Sequence, residues 1–371
     1  MFPPSRLQVT SRVVLKLFHQ ILVAFSLRSS RLSRLILWIR FLSWATWFTF
    51  IWAQSVVYAQ SIDCNLDCIL RHTLTFLQTV THAFIVVMTF LKGFRPEQDQ
   101  MDEVVVFEES DPWVAFTLLA MMLPIVGVEF LVYWNAPEYA YRVIIYHLKT
   151  LPSFLALQMQ IISFILEVMK VNIRVRHAKL QLLVLARELS NRWPQSKQGP
   201  EFLDQQIHRI KDLKYRYNEL HRLFDRINGC FGGSLLTIIM VYFALFVCKS
   251  YWLFVELRTS PLRFYAILLN LGFIFNVALQ MSAACWHCQQ SYNLGRQIGC
   301  LISKLVKPKG SKRYNDLVSE FSLQTLHQRF VVTAKDFFSL NLHLLSSMFA
   351  AVVTYLVILI QFMFAERNSK R

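Results

Sequence analysis

The chain has 371 residues, of which 55% are hydrophobic and 14% aromatic, with a mean hydropathy of +0.38. A soluble domain is about 45–50% apolar, and here the excess is gathered into long runs, which excludes an ordinary soluble globular protein and makes this a membrane protein. The net charge of +16 lies between those runs without an RNA- or DNA-binding signature, so it reads as topology and contact with anionic membrane lipid, not nucleic acid.

Residues 1–34 form a basic segment, expected to be cytoplasmic, with Arg6, Arg12, Lys16, Arg28, Arg31 and Arg34. Its apolar part, Val13 to Leu27, is interrupted by Lys16, His19 and Gln20, and no small-residue cleavage site follows clearly. It reads as an amphipathic helix on the membrane surface, not a signal peptide. Spans one to four occupy 35–171: Leu35–Val57 with its girdle of Trp38, Trp44, Trp47 and Trp52, then Ile69–Leu91, Trp113–Trp134 and Leu148–Val171. Each run is long enough for a hydrocarbon core, which takes roughly 20 residues of helix. An acidic segment, Lys92 to Pro112, separates the second and third.

Residues 172–233 form a cytoplasmic helical link. It is basic at Arg174, Arg176, Lys179, Arg187 and Arg192 and broken by Pro194 and Pro200. From Leu203 through Ile207, Ile210, Leu213, Tyr217, Leu220 and Phe224 to Ile227, apolar residues recur every three or four positions. That is an amphipathic helix of heptad type, fitted either to a neighbouring helix or to another subunit. Residues 234–285 carry spans five (Ser234–Leu257) and six (Leu262–Cys285). Residues 286–339 form a second basic link, with a short helix at Tyr314–Gln328. Residues 340–363 are the seventh span and 364–371 an extracellular tail.

The N-terminal segment and the two basic links hold most of the 39 lysines and arginines. That bias places the N-terminus inside and, after seven spans, the C-terminus outside. A G-protein-coupled receptor has the opposite layout, and the chain lacks an Asp/Glu-Arg-Tyr tripeptide after span three and an Asn-Pro-x-x-Tyr in span seven.

No enzyme signature is present: no P-loop, no Gly-x-Ser-x-Gly, no His-Glu-x-x-His. Cys64 and Cys68 share one short connection and are either a disulfide or two thiols. Cys285-Trp-His287-Cys288 resembles half a zinc site, but no second pair follows and the stretch reads as a helix end, so neither metal nor other cofactor is expected. Gly295 and Gly299 read as a chance pairing in a polar stretch.

Charges inside spans are costly and call for a function. Glu129 and Lys249 lie in the outer parts of spans three and five, Glu129 as a candidate for a water-filled pocket and Lys249 for snorkelling to the interface. Glu167 and Lys170 read as interfacial. The outer halves of spans two to six also offer Thr73, Gln78, Tyr133, Trp134, Gln158, Tyr251, Trp252, Tyr265 and Asn270. Aromatic walls with a few polar anchors suit a small organic ligand, although aromatic residues also populate membrane interfaces. His82 and Asn276 read as interhelical hydrogen-bond partners.

The last span is unusual. Drawn as a helix, it puts Ser347, Ala351, Thr354, Ile358 and Gln361 on one face and Met348, Val352, Tyr355 and Leu359 on the other. A small, mildly polar stripe meets either protein or water. Packing through small residues and a water-lined pore both satisfy it.

Thr354-Tyr355, five apolar residues and Gln361-Phe362 match the TYhhhhhQF signature (h, apolar) of insect gustatory receptors. The approach from Phe337-Phe338 to Ser346-Ser347 resembles that family's lead-in to its final helix, and the resemblance extends over the whole architecture. It implies an all-α, seven-transmembrane protein of inverted topology in the plasma membrane of sensory neurons. It further implies a homo- or heterotetramer with other gustatory receptors around one cation-conducting pore, opened by a small-molecule tastant. Thr354, Ile358 and Gln361 are then expected to face the pore, with Ile358 an apolar gate that closes by dewetting. Gln361 and Phe362 lie beside it at the outer mouth, and Tyr355 packs on neighbouring helices. The resemblance places the ligand pocket in the outer half of each subunit. Leu356 stands where many sugar receptors of the family carry an acidic residue, which favours a bitter or otherwise aversive ligand. A transporter, resting on Glu129 and Lys249, and a non-conducting subunit that tunes other receptors are the competing readings.

Overall fold

The computed structural model describes residues 6–25, 34–60, 66–93, 112–134, 141–192, 200–258, 264–305 and 311–369. Among them the chain forms nine helices: α1 (Arg6–Ala24), α2 (Arg34–Gln60), α3 (Leu66–Gly93), α4 (Pro112–Trp134), α5 (Tyr141–Arg192), α6 (Pro200–Arg258), α7 (Phe264–Ser303), α8 (Lys312–His327) and α9 (Leu342–Ser369). Helices α2 to α7 and α9 overlie the seven apolar runs. Over the described residues, α3, α5, α6, α7 and α9 are long and apolar enough to cross a membrane.

Three helices outrun the apolar stretches that announce them. Helix α5 has 52 residues and α6 has 59. Pro200 opens α6, where its missing N–H costs nothing. No proline follows before Arg258, and Gly229, Gly232 and Gly233 fall inside the helix. A helical glycine costs about 1 kcal/mol, too little to break a helix whose apolar positions continue on both sides. Helix α7 likewise runs on to Ser303, so Cys285 and Cys288 lie well within it, both buried, and not at a helix end. Cys68 is disulfide-bonded, while Cys64 and the acidic segment at 94–111 lie outside the described residues.

The chain divides into two compact units. The first comprises Met1–Leu166, Ser234–Ser282 and Leu345–Arg371. Its centre is α5, which from Ala156 to Leu166 is buried on every side, Gln158, Gln160 and Ser163 included. Within lipid, packing and interhelical hydrogen bonds, not water exclusion, hold helices together. Accordingly, His82 of α3 pairs its Nδ1 with Ser153 Oγ of α5 at 3.3 Å and lies edge-on to Trp44 at 4.5 Å. Asn276 of α7 also serves between helices, as expected: its Nδ2 donates to Gln158 Oε1 at 3.4 Å.

The second unit comprises Glu167–Gly233 and Ala283–Leu344. Here Ile207, Ile210, Leu213, Tyr217, Leu220, Phe224 and Ile227 are all buried, as their spacing requires. Between α8 and α9 the chain forms a strap, residues 328–341, with an isolated bridge between Thr333 and Ser339. Asn228 holds it by pairing with backbone on both sides: its Nδ2 donates to Val331 O at 3.0 Å and its Oδ1 accepts from Thr333 N at 3.1 Å. Tyr217 adds a 2.6 Å hydrogen bond from its hydroxyl to Gln328 O. Phe330 of the strap lies between Phe224 and Tyr217, each 4.9 Å away, and against Gly295. A Cβ at Gly295 would stand 2.8 Å from Phe330 Cδ2, and one at Gly299 3.4 Å from Thr325 Oγ1. The Gly295/Gly299 pair is therefore a packing device, contrary to the reading of it as chance. The sequence gives no sign of how Glu167 and Lys170 pack. Both are buried among neighbouring helices, 3.7 Å apart as an ion pair one turn along α5. At the end of the strap Asn341 Oδ1 accepts from Leu344 N at 2.8 Å, an N-cap for α9.

Candidate ligand pocket and terminal helix

In the first unit, four helices bring aromatic rings and cations together. Phe154 of α5 meets Phe273 of α7 edge-to-face, centroids 5.4 Å apart at 70°. Lys249 of α6 places its Nζ 4.2 Å from the Phe273 centroid and 5.0 Å from that of Trp252. The guanidinium of Arg71, from α3, lies 5.1 Å over the other contact of this group, the Trp252 ring. Each such cation–ring contact contributes about 0.5–2 kcal/mol depending on desolvation. Aromatic faces with fixed charge suit a small organic molecule better than a hydrated ion.

Of the residues proposed from sequence for the pocket, Trp252 belongs to this cluster and Tyr251 is buried beside it in the chain. Gln78 and Asn270 are buried, and Gln158 is fully so. Thr73 is exposed, its hydroxyl turned back to Ile69 O at 2.8 Å. Glu129, Tyr133, Trp134 and Tyr265 lie on α4 and α7, with side chains outside the described residues. Sequence reasoning missed Arg71, Phe154 and Phe273. Phe154 lies one turn before Gln158 and Phe273 one turn after Asn270, so extending the polar candidates by a helical turn would have found both.

Helix α9 is apolar yet poorly covered by its own chain: among its described residues only Val352 is buried. Ser347, Thr354, Ile358, Gln361 and Phe362 are exposed and Ala351 is half-buried. Thr354 Oγ1 bonds Ala350 O at 3.2 Å. The other side of α9 meets α6 through aromatic pairs, Tyr355 with Phe243 at 5.6 Å and Phe349 with Phe246 at 5.5 Å. The mildly polar edge is thus turned away from the helices that α9 packs on.

The family model of the 7tm Chemosensory receptor matches residues 98–366. Over all 371 residues the chain is 80% identical to Gustatory receptor 23a of Drosophila melanogaster, covering 99% of that protein. The chain belongs to the insect gustatory receptor family. A further relative of this receptor is Putative gustatory receptor 39b of Drosophila melanogaster, 31% identical over 156 residues, which is 40% of this chain and 41% of that one. The receptor also shares the fold of insect olfactory receptor OR5 from Machilis hrabei, solved with eugenol. The TM-score is 0.63 at 12% identity, covering 96% of the receptor and 99% of OR5. It is therefore an all-helical, multi-pass membrane protein of a chemosensory receptor family, not of an enzyme family.

Proposed function

We propose that this receptor is a ligand-gated cation channel in the plasma membrane of sensory neurons. Four subunits, identical or mixed with other gustatory receptors, set α9 around a shared axis. The N-terminus is cytoplasmic and the C-terminus extracellular. The observation that carries the reading is the uncovered Ser347–Gln361 edge of α9 on a helix apolar enough to span. Lipid gives no reason to align Ser, Thr and Gln on one side, whereas a pore does. On this reading Ile358 forms the dewetting constriction, with Gln361 and Phe362 beside it.

The ligand is a small organic tastant of the bitter or aversive class, held among Trp252, Phe273 and Phe154. Leu356 in place of an acidic residue supports that class. A small organic ligand also fits the fold shared with OR5, which was solved in complex with eugenol. Lys249, one of the two residues behind a transporter reading, is held over aromatic rings, which gives it a packing role.

The test is to express the receptor alone and with related receptors and to record current under a panel of bitter and sweet compounds. Tastant-evoked cation current is expected, with selectivity or gating altered by Ile358→Ala and Gln361→Ala. Saturable uptake without unitary currents, or currents indifferent to both substitutions, would overturn it.

A further inference from the structure

Tyr242 of α6 donates its hydroxyl proton to Gln280 Oε1 of α7 at 2.6 Å. Gln280 Nε2 donates to Asn276 Oδ1 at 3.1 Å, and Asn276 Nδ2 donates to Gln158 Oε1 of α5 at 3.4 Å. All four side chains are essentially inaccessible. The bonds run head to tail in one direction, so each polarises the next. One end of this chain reaches the aromatic cluster: Gln158 is one helical turn from Phe154, and Asn276 is one turn from Phe273, the two rings that meet at 5.4 Å. The other end reaches the terminal helix. Tyr242 lines a void of about 20 Å³ together with Val277, Met281, Met348 and Val352, the last two from α9.

The void has no polar lining. The space opens partly to the outside of the helices, and the atoms facing it lack protein partners on that side. The helix surface bearing Met348 and Val352 therefore has room to shift, while the hydrogen-bonded chain beside it does not. Any displacement of Tyr242 or Gln280 leaves a buried polar group unmatched in an apolar medium. The void is the soft element and the polar chain the stiff one.

We infer that the Gln158–Asn276–Gln280–Tyr242 chain couples occupancy of the aromatic pocket to the position of α9. The inference rests on the ligand-gated channel reading for its physiological meaning, but not for its physical test. A ligand that moves Phe154 against Phe273 shifts α5 relative to α7. The chain transmits that shift to Tyr242, and Tyr242 admits or denies Met348 and Val352 the adjoining space. A simpler role as interhelical glue predicts the same bonds, but it predicts no effect localised on α9.

The experiment uses the full-length receptor purified in lipid nanodiscs, with amide hydrogen exchange followed in α9 and, as reference, in α8. Tyr242→Phe removes one hydroxyl and keeps the ring. Gln280→Leu removes the middle of the chain, and Val277→Ile adds one methylene to the void. Tyr242→Phe and Gln280→Leu are each expected to speed exchange in α9 by roughly fivefold or more, the lower range of ordinary coupling between sites. The double variant should match the larger single effect, because both cut one chain. Val277→Ile should slow exchange in α9. In cells, Tyr242→Phe should displace the tastant concentration–response curve by a similar factor with surface expression unchanged.

Unchanged exchange in α9, equal acceleration in α8 and α9, or multiplicative effects in the double variant would each overturn the coupling. A receptor that passes no tastant-evoked current in any combination would overturn the channel reading. The exchange measurement would still decide whether the chain controls α9.

Discussion

Tyr355 sets its ring edge-on to Phe243, centroids 5.6 Å apart at 83°. Of the four fixed positions in the family signature, it is the one turned toward its own subunit's α6. An edge-to-face pair of this kind contributes about 0.5–1.5 kcal/mol. Tyr355→Phe is expected to keep it and Tyr355→Ala to lose it. In a double-mutant cycle with Phe243→Ala, read by thermal unfolding of the purified receptor, the coupling should fall in that range. A coupling indistinguishable from zero would separate Tyr355 from the anchoring of α9.

Gly295 admits Phe330 closely enough that an added Cβ would lie at 2.8 Å. Gly295→Val is expected to destabilise the second unit by about 1–3 kcal/mol, the usual cost of overfilling a packed site. Shortening the opposing side chain with Phe330→Leu in the same chain should recover part of that loss. The melting temperature of the single and double variants checks both statements.

Asn228 satisfies one carbonyl and one N–H of the strap at once. Asn228→Leu leaves both without that partner, at roughly 1–3 kcal/mol for each group that stays buried. Asn228→Asp keeps the acceptor for Thr333 N–H but sets a carboxylate oxygen against Val331 O, so its damage should fall on the Val331 side. Amide exchange at Thr333 is the direct readout. It is expected to accelerate more in the Leu variant, which removes the acceptor of Thr333 N–H, than in the Asp variant, which keeps it.

Lys249 lies 4.2 Å from the Phe273 centroid and 5.0 Å from that of Trp252. Lys249→Arg retains a cation over the rings, and Lys249→Met removes it while keeping a flexible apolar stem. The Met variant is expected to lose about 0.5–2 kcal/mol of pocket stability and to shift tastant potency. The Arg variant should remain close to wild type. Concentration–response curves at matched surface expression separate the two.

Much of this architecture can be read from the order of residues alone. Lipid demands long apolar helices with their backbone bonds satisfied internally, so hydropathy marks the spans. The three-four spacing from Leu203 to Ile227 marks the buried face of α6, because a helix repeats its faces every 3.6 residues. The TYhhhhhQF stretch identifies the family, since it depends on local order and not on contacts.

Other features depend on residues far apart in the chain. Nothing in the order of residues tells that Gly295 faces Phe330 or that Asn228 grips Val331 and Thr333, and helical spacing can nominate Phe154, Lys249, Trp252 and Phe273 without telling that they meet. Glu167 and Lys170 are charged, yet their neighbours bury them. Helical periodicity fixes which residues share a face, but packing between helices decides what that face touches. The sequence therefore determined the membrane class, the helices and the family. The aromatic cluster, the docking of the strap and the buried polar chain were decided by tertiary packing, because each brings together side chains from separate parts of the chain.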